Sequence, residues 1–545
     1  EEHRVHGVAD SNGELCGIEW TSTGNALTVK GLTTGKTYEL EETGAPDGYC
    51  YSENIQFQLV DDRAGSTVAK VYNSATQTYE TVSDIVMNDK LSKVSISKVD
   101  VANNRELAGA HIQILDENGN IKDQWDSDGS VHTVTGLVVG TDTAKKYTLR
   151  ETTAPDGYLF VTDTVFELDK YGKVLTTAET TETGVILLKD DLTSVVLSKK
   201  EIGGSTELSG ATLKITGAAD WSNVLAQFAS DDAHQIKTVK DENGVVCGIE
   251  WTSTNTALTV KGLSTDVVYK MEETGVPVGY CYSENIRFKL EDNQAGKASA
   301  KVYNTATGFY VPVSDVVMYD KLTTISVSKV DATGHQEIAG AHIQLLDENG
   351  SVVTAWDSDG TVHTVTGLHV DANGTKKYTL RETIVPKGYL VVTDTIFELD
   401  KYGNVTTTAE ITTDGVILLE DAITTVEISK KEIGKSVELP GATLKITGEA
   451  NWSNVLAQFA ADDAHQVKAV TDQAGAVCGI QWVSTNAAIS IKGLTTGVVY
   501  TMEETGAPNG YEYSENIQFI LEDSKDGATI VKVYEIGRAS CRERV

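Results

Sequence analysis

Short runs of alternating apolar and polar residues, cut by turn residues, fill the chain. Between residues 94 and 191 they read VSISKVD, AHIQILDENGN, DQWDSDG, VHTVTGL, KKYTLRET, DTVFELDKYG and GVILLKDD. Alternation with period two marks a half-buried strand, and the Asn-Gly and Asp-Gly breaks mark hairpins. Seven such strands in about 100 residues predict a β-sandwich. A helical turn is expected at DWSNVLAQF, residues 220–228.

The pattern repeats. CGIEWTST at Cys16 returns at Cys247 and, as CGIQWVST, at Cys478, each 231 residues on. WDSDGSVHTVTGL at Trp125 recurs at Trp356 with the same period. Both kinds of unit carry Y-x-[LM]-x-E-T-x-x-P-x-G-Y, at Tyr38, Tyr147, Tyr269, Tyr378 and Tyr500. The chain therefore reads A-B-A-B-A, an all-β tandem array of sandwich domains. The expected domains are 1–90 (A, lacking its opening strands), 91–191 (B), 192–321 (A), 322–422 (B) and 423–534 (A, lacking its last strand). The A units differ from B by an insertion after GATLKITG. Residues 535–545, EIGRASCRERV, fit no unit and read as translated adaptor sequence. Both ends read as truncations, so the lack of a secretion signal or wall anchor carries no information.

Composition narrows the function. With 45 Lys and Arg against 79 Asp and Glu, the net charge of −34 argues against binding a nucleic-acid backbone. No apolar run is long enough to insert in a membrane. No cofactor is implied, since phosphate-binding glycine loops, G-x-S-x-G and H-E-x-x-H are all lacking.

Period-two geometry places charges where apolar residues belong. Lys98 shares a face with Val94 and Ile96, Glu151 with Tyr147 and Leu149, and Asp190 with Ile186 and Leu188. The next A unit repeats this with Lys199, Glu273 and Asp320, and the second B unit with Lys329, Glu382 and Asp421. Lys189 and Glu420, beside the aspartates, fall on the outward parity. Incomplete sets remain at the ends: Glu42 and Asp89 in the first unit, Lys430 and Glu504 in the last. One lysine and two carboxyls enclosed together should favour a proton on a carboxyl and a lowered lysine pKa. An amine facing a protonated carboxyl is the reactant pair for an amide, and the second carboxyl can shuttle the proton. The expected chemistry is a spontaneous Lys–Asp isopeptide bond catalysed by Glu in a single turnover, not an enzyme acting in trans. A plain buried salt-bridge triad is the rival reading.

The stretch SISKVD…ELAGAHIQILDENG…WDSDG…YTLRETTAPDGY…FELDKYG resembles the collagen-adhesin B-type (Cna B, SpaA-like) domains of Gram-positive surface proteins and pilins. The resemblance covers residues 1–534 and implies a prealbumin-like, inverse immunoglobulin-like sandwich. It also implies bonds Lys98–Asp190, Lys199–Asp320 and Lys329–Asp421, with Glu151, Glu273 and Glu382 as catalysts. The function so implied is a structural stalk of an adhesin or pilus-like protein, extracellular and attached to the cell wall. Its alternative is a ligand-binding module whose A units contact a host matrix protein or glycan. Neighbouring domains of the chain are the remaining partners.

Other residues have plainer readings. Cys16 and Cys50 recur as Cys247 and Cys281, which invites a disulfide in the A units. The third A unit keeps Cys478 but has Glu512 at the partner position, which argues for buried free thiols. No metal site is expected: His111, His132, His342 and His363 lack a third ligand and read as strand residues. Asp126-Ser127-Asp128-Gly129 reads as a hairpin turn rather than a calcium loop. Trp20, Trp125, Trp251, Trp356 and Trp482 hold one equivalent position and read as packing residues.

Overall fold

The structure, a computed structural model, describes residues 3–293, 296–391, 393–525 and 527–535. The tail 536–545 lies outside the described residues. Contacts divide the chain into two compact units. One comprises 1–194 with 261–267 and 290–299; the other comprises 195–260, 268–289 and 300–545. Strands dominate both. No helix among the described residues is long and apolar enough to cross a membrane.

The B segment in the first unit shows the plan. Ala108–Leu115 pairs with Ile121–Asp128 on one side and Lys145–Thr153 on the other. Thr164–Leu168 and Val174–Thr176 complete a five-stranded sheet. Facing it, Lys93–Asp100 lies between His132–Thr135 and Ile186–Asp190. Seven strands were expected and eight form, because Val174–Thr176 folds back on Phe166–Leu168. Inward residues of both sheets, among them Val94, Ile96, Ile112, Ile114, Leu149, Ile186 and Leu188, fill the core. Tyr147 stacks on Phe166 at 5.4 Å. Burying each such side chain stabilises by about 1.5–3 kcal/mol. The second B segment repeats the two sheets: Val352–Asp359, Ala339–Leu346, Thr375–Ile384, Thr395–Asp400 and Val405–Thr407 form the five-stranded one, and Thr324–Asp331 lies between His363–Thr366 and Val416–Asp421 in the other.

The pairing of first strand with last sets the site. It is parallel: Leu188 lies opposite Lys98 and Asp190 opposite Asp100. Parallel neighbours cannot be joined by a hairpin, so the rest of the domain separates them in sequence. The second B segment keeps this register, with Leu419 opposite Lys329. So does the central A segment, with Met318 opposite Lys199.

The A insertion does form a short helix, Trp221–Ala226, capped by Asp220 and burying Trp221 and Val224. Beyond it, His234 Nδ1 meets Asp231 at 2.8 Å and Nε2 meets Thr254 Oγ1 at 3.2 Å, which fastens the insertion to the sheet. Trp251 and Trp482 are core residues, while Trp125 and Trp356 stack on His132 and His363 at 4.1 and 4.3 Å. His111 and His342 pair with Asp126 and Asp357 on the strand surface. Asp126 and Asp128 themselves belong to the strand Ile121–Asp128, and the turn follows at Gly129 and Ser130.

Successive segments touch within each unit. Ser92 donates to the Leu137 carbonyl at 2.6 Å, and Tyr51 N–H donates to the Lys170 carbonyl at 2.8 Å. Thr323 and Tyr282 do the same to Leu368 and Lys401, at 2.7 and 2.9 Å. Cys50 and Cys281 sit under the turn glycines Gly172 and Gly403 of the B segment that follows. The disulfides considered from sequence are therefore not formed: Cys16, Cys50, Cys247 and Cys281 are free thiols. Cys50 and Cys281 are buried because they pack against the next segment, whereas Cys16 is exposed and Cys247 half-buried.

Candidate functional site

Each inward charge lands on its predicted face. In the first B segment Lys98 and Asp190 stand side by side on the three-stranded sheet. Glu151, opposite Ile112 on the five-stranded sheet, reaches them across the core. Lys98 Nζ contacts Asp190 Oδ1 directly and lies 2.8 Å from Glu151 Oε1. The side chains are 1% exposed for the lysine and 0% for both acids. Glu151 is oriented by the N–H of Val161, which donates to Oε2 at 2.9 Å. Asp190 Oδ2 is buried without a hydrogen-bond partner.

The same set closes twice more. Lys199 Nζ contacts Asp320 Oδ1 and lies 2.8 Å from Glu273 Oε1. Lys329 Nζ contacts Asp421 Oδ1 and lies 3.2 Å from Glu382 Oε1. In both, the side chains are 1% exposed or less. Lys189 stays outside as its parity required, paired with Glu179 at 2.7 Å.

Burial sets the protonation. It pushes the Asp190 carboxyl up to about 8, the Glu151 charge adding to the rise and Lys98 opposing it. Asp421 rises to about 7 for the same reasons. In the A segment the carboxyl raised, to about 7, is Glu273: burial and the neighbouring Asp320 outweigh Lys199. Each cluster can therefore hold two protons near neutrality, one on the nitrogen beyond the free amine and one on a carboxyl, and be electrically neutral.

The incomplete sets differ. Lys430 Nζ lies 3.0 Å from Glu504 Oε2 with the lysine 15% exposed. Burial would raise Glu504, but the Ser514 amide, Lys430 and the Ser514 hydroxyl together hold it below the usual range. In the first A segment Glu42 and Asp89 are linked through Ser52, which donates its N–H to Glu42 at 2.7 Å and its hydroxyl to Asp89 at 2.9 Å. That serine, with Ser283 and Ser514, was missed in the sequence because it lies on an irregular stretch. The signal was there: Y-S-E-N follows every A-type G-Y motif, at Tyr51, Tyr282 and Tyr513, where the B segments read F-V-T-D and V-V-T-D.

The sequence profile of the SpaA prealbumin-like fold domain matches residues 6–74, 92–189, 193–305, 323–414 and 424–535. The chain belongs to that family. Among solved structures, this SpaA-family chain is similar to the TIE protein of Bacillus anthracis, at 17% identity and a TM-score of 0.27. The alignment covers 77% of this chain and 66% of that one. It is also similar to BcpA, the major pilin subunit of Bacillus cereus, at 14% identity over 61% of this chain and 99% of that one, with a TM-score of 0.23. The shaft pilin SpaA of Lactobacillus rhamnosus GG matches at 18% identity over 43% and 98%, with a TM-score of 0.19. No curated protein matches the chain.

Proposed function

We propose that the chain is part of a stalk of five prealbumin-like domains, outside the cell and attached to the wall of a Gram-positive bacterium, locked by isopeptide bonds. The observation that carries this reading is the enclosure of one lysine and two carboxyls in three separate apolar cores, with the lysine nitrogen touching both acids. As a permanent salt bridge such a triad would keep an ammonium and a carboxylate enclosed in each apolar core, a costly arrangement that a few apolar residues would improve on. Condensation removes the cost.

The contacts support the following steps. In the neutral cluster Glu151 takes a proton from the Lys98 ammonium, leaving an amine beside the protonated Asp190. The nitrogen attacks Cγ, the new C–N bond forms, and one carboxyl oxygen leaves as water. Its second proton comes from Glu151, which then regains one from the collapsing intermediate and ends protonated. Two ions and a neutral acid become an amide, a water and a neutral acid. Glu382 does the same for Lys329–Asp421; at Lys199–Asp320 Glu273 first passes the proton it holds to Asp320, and the steps then run alike.

The bond would tie the first strand to the last, and each last-strand Asp lies nine residues before the next unit's Lys. Tension would pass from clamp to clamp through short connectors. Closing a loop of about 100 residues adds roughly 4.7 kcal/mol in the chain-entropy account. The test is intact-protein mass spectrometry on the denatured, reduced chain: a deficit of three waters is expected, mapped to the three Lys–Asp pairs. A mass equal to that of the plain sequence would discard the bonds and leave a salt-bridged sandwich.

A further inference from the structure

The A-type site has a member that the B-type lacks. Ser283 donates its N–H to Glu273 Oε2 at 2.8 Å, the role Val161 plays for Glu151. Its hydroxyl also lies 2.7 Å from Asp320 Oδ1 and accepts from Lys199 Nζ at 3.3 Å. A third neighbour is the Tyr319 carbonyl, at 2.5 Å. One residue thus touches all three reacting side chains. Its counterparts keep their places when the set is incomplete: Ser52 on Glu42 and Asp89, and Ser514 on Glu504 with Lys430 Nζ at 3.4 Å.

We infer that Ser283 is a further catalytic residue of the A-type site, whose hydroxyl stabilises the negative charge that develops on Asp320 Oδ1 as Lys199 attacks. This rests on the condensation proposed above. When the C–N bond forms, the π pair of the carboxyl moves onto one oxygen. Oδ1 is the oxygen that holds a donor, so it takes the charge and becomes the amide carbonyl. Oδ2, which has no hydrogen-bond partner, leaves as water with two protons delivered in turn by Glu273, the one it holds and one it takes from the Lys199 ammonium, and Glu273 is reprotonated from the nitrogen as the intermediate collapses. The serine transfers no proton. Its single hydrogen is shared between the neutral Tyr319 carbonyl and Oδ1, and it strengthens toward Oδ1 as that atom becomes anionic, because charged acceptors bind about twice as strongly. A donor placed for the charge before it develops is a large term in acyl chemistry. The hydroxyl on Asp320 also agrees with Glu273 being the raised carboxyl here, where the B sites raise the aspartate.

The assignment is tested on the full chain made by cell-free translation and sampled after synthesis is stopped. Each sample is quenched in denaturant and digested, and the cross-linked fraction is read for all three pairs. Ser283→Ala is expected to slow Lys199–Asp320 formation by at least about tenfold while both B-type bonds keep their rates. Ser283→Thr, which retains a hydroxyl, recovers most of the rate, and Val161→Ser accelerates Lys98–Asp190. Ser283→Ala at the wild-type rate would overturn the assignment, as would equal slowing by Ala and Thr, which would point to packing. If the wild-type chain forms none of the three bonds, the condensation itself has failed; if only the serine variants are silent, it stands without this residue.

Discussion

Asp190 is the side chain on which the residue-scale chemistry turns. A carboxyl raised by burial is protonated in the folded chain below its shifted value and loses that proton as pH rises through it. The neutral, reactive cluster around Lys98 is therefore present below about 8 and lost above it. Newly translated chain is expected to form Lys98–Asp190 faster at about pH 6 than at about pH 9, read by peptide mapping. The same sign holds for Lys329–Asp421 and Lys199–Asp320, with the fall beginning near 7. Glu151→Gln removes the proposed proton carrier but keeps the shape. The chain should then fold and lack one of its three water losses, with Lys98 and Asp190 recovered as unmodified peptides. These positions were legible beforehand because strand alternation is rigid: once Val94 and Ile96 face inward, Lys98 must as well. Ser283 was not, since nothing periodic governs an irregular stretch.

At the scale of elements, the proposed clamp depends on a parallel pair of strands and the joints depend on turns. Gly172 has a φ of +75°, and a Cβ there would run into Cys50 Sγ. Both effects oppose any side chain, and a left-handed non-glycine residue costs about 1–3 kcal/mol on its own. In the native chain Cys16 should react quickly with a thiol reagent, while Cys50 and Cys281 should wait for local opening. Gly172→Ala should speed Cys50 labelling by about tenfold and leave Cys281 unchanged, as quantified by mass spectrometry of the labelled peptides. The thiols illustrate where sequence reading stops. Recurrence of Cys16 and Cys50 suggested a partner inside the A segment, but the burial of Cys50 comes from the segment that follows. Strand identity, the A insertion and its Trp221 helix were readable from local pattern. The fold-back of Val174–Thr176 was not, since three residues carry too little alternation.

For the whole molecule, the proposed bonds would convert a chain of sandwiches into a chain of closed loops. Lys98 and Asp190 are 92 residues apart, so at about 3.5 Å per residue a domain without its bond would release about 320 Å on unfolding. Under force, the wild-type chain is expected to show no step of that size from either B domain, and Glu151→Gln should restore one; single-molecule pulling checks both. The two kinds of joint are not interchangeable. An A segment presents Cys50 or Cys281 to a B-type Asp-Lys-Tyr-Gly turn, whereas a B segment ends with Phe160 or Val391 donating to Asp292 or Asp523 of the A segment that follows. Duplicating a lone A or a lone B would keep the hydroxyl-to-carbonyl contact common to both joints, Ser92 or Thr323 on Leu137 or Leu368 and Thr193 or Thr424 on Leu263 or Leu494, but would lose these distinguishing ones. Gene rearrangements that lengthen or shorten such a protein should thus favour whole A–B increments, which makes 231 residues the natural quantum of its reach.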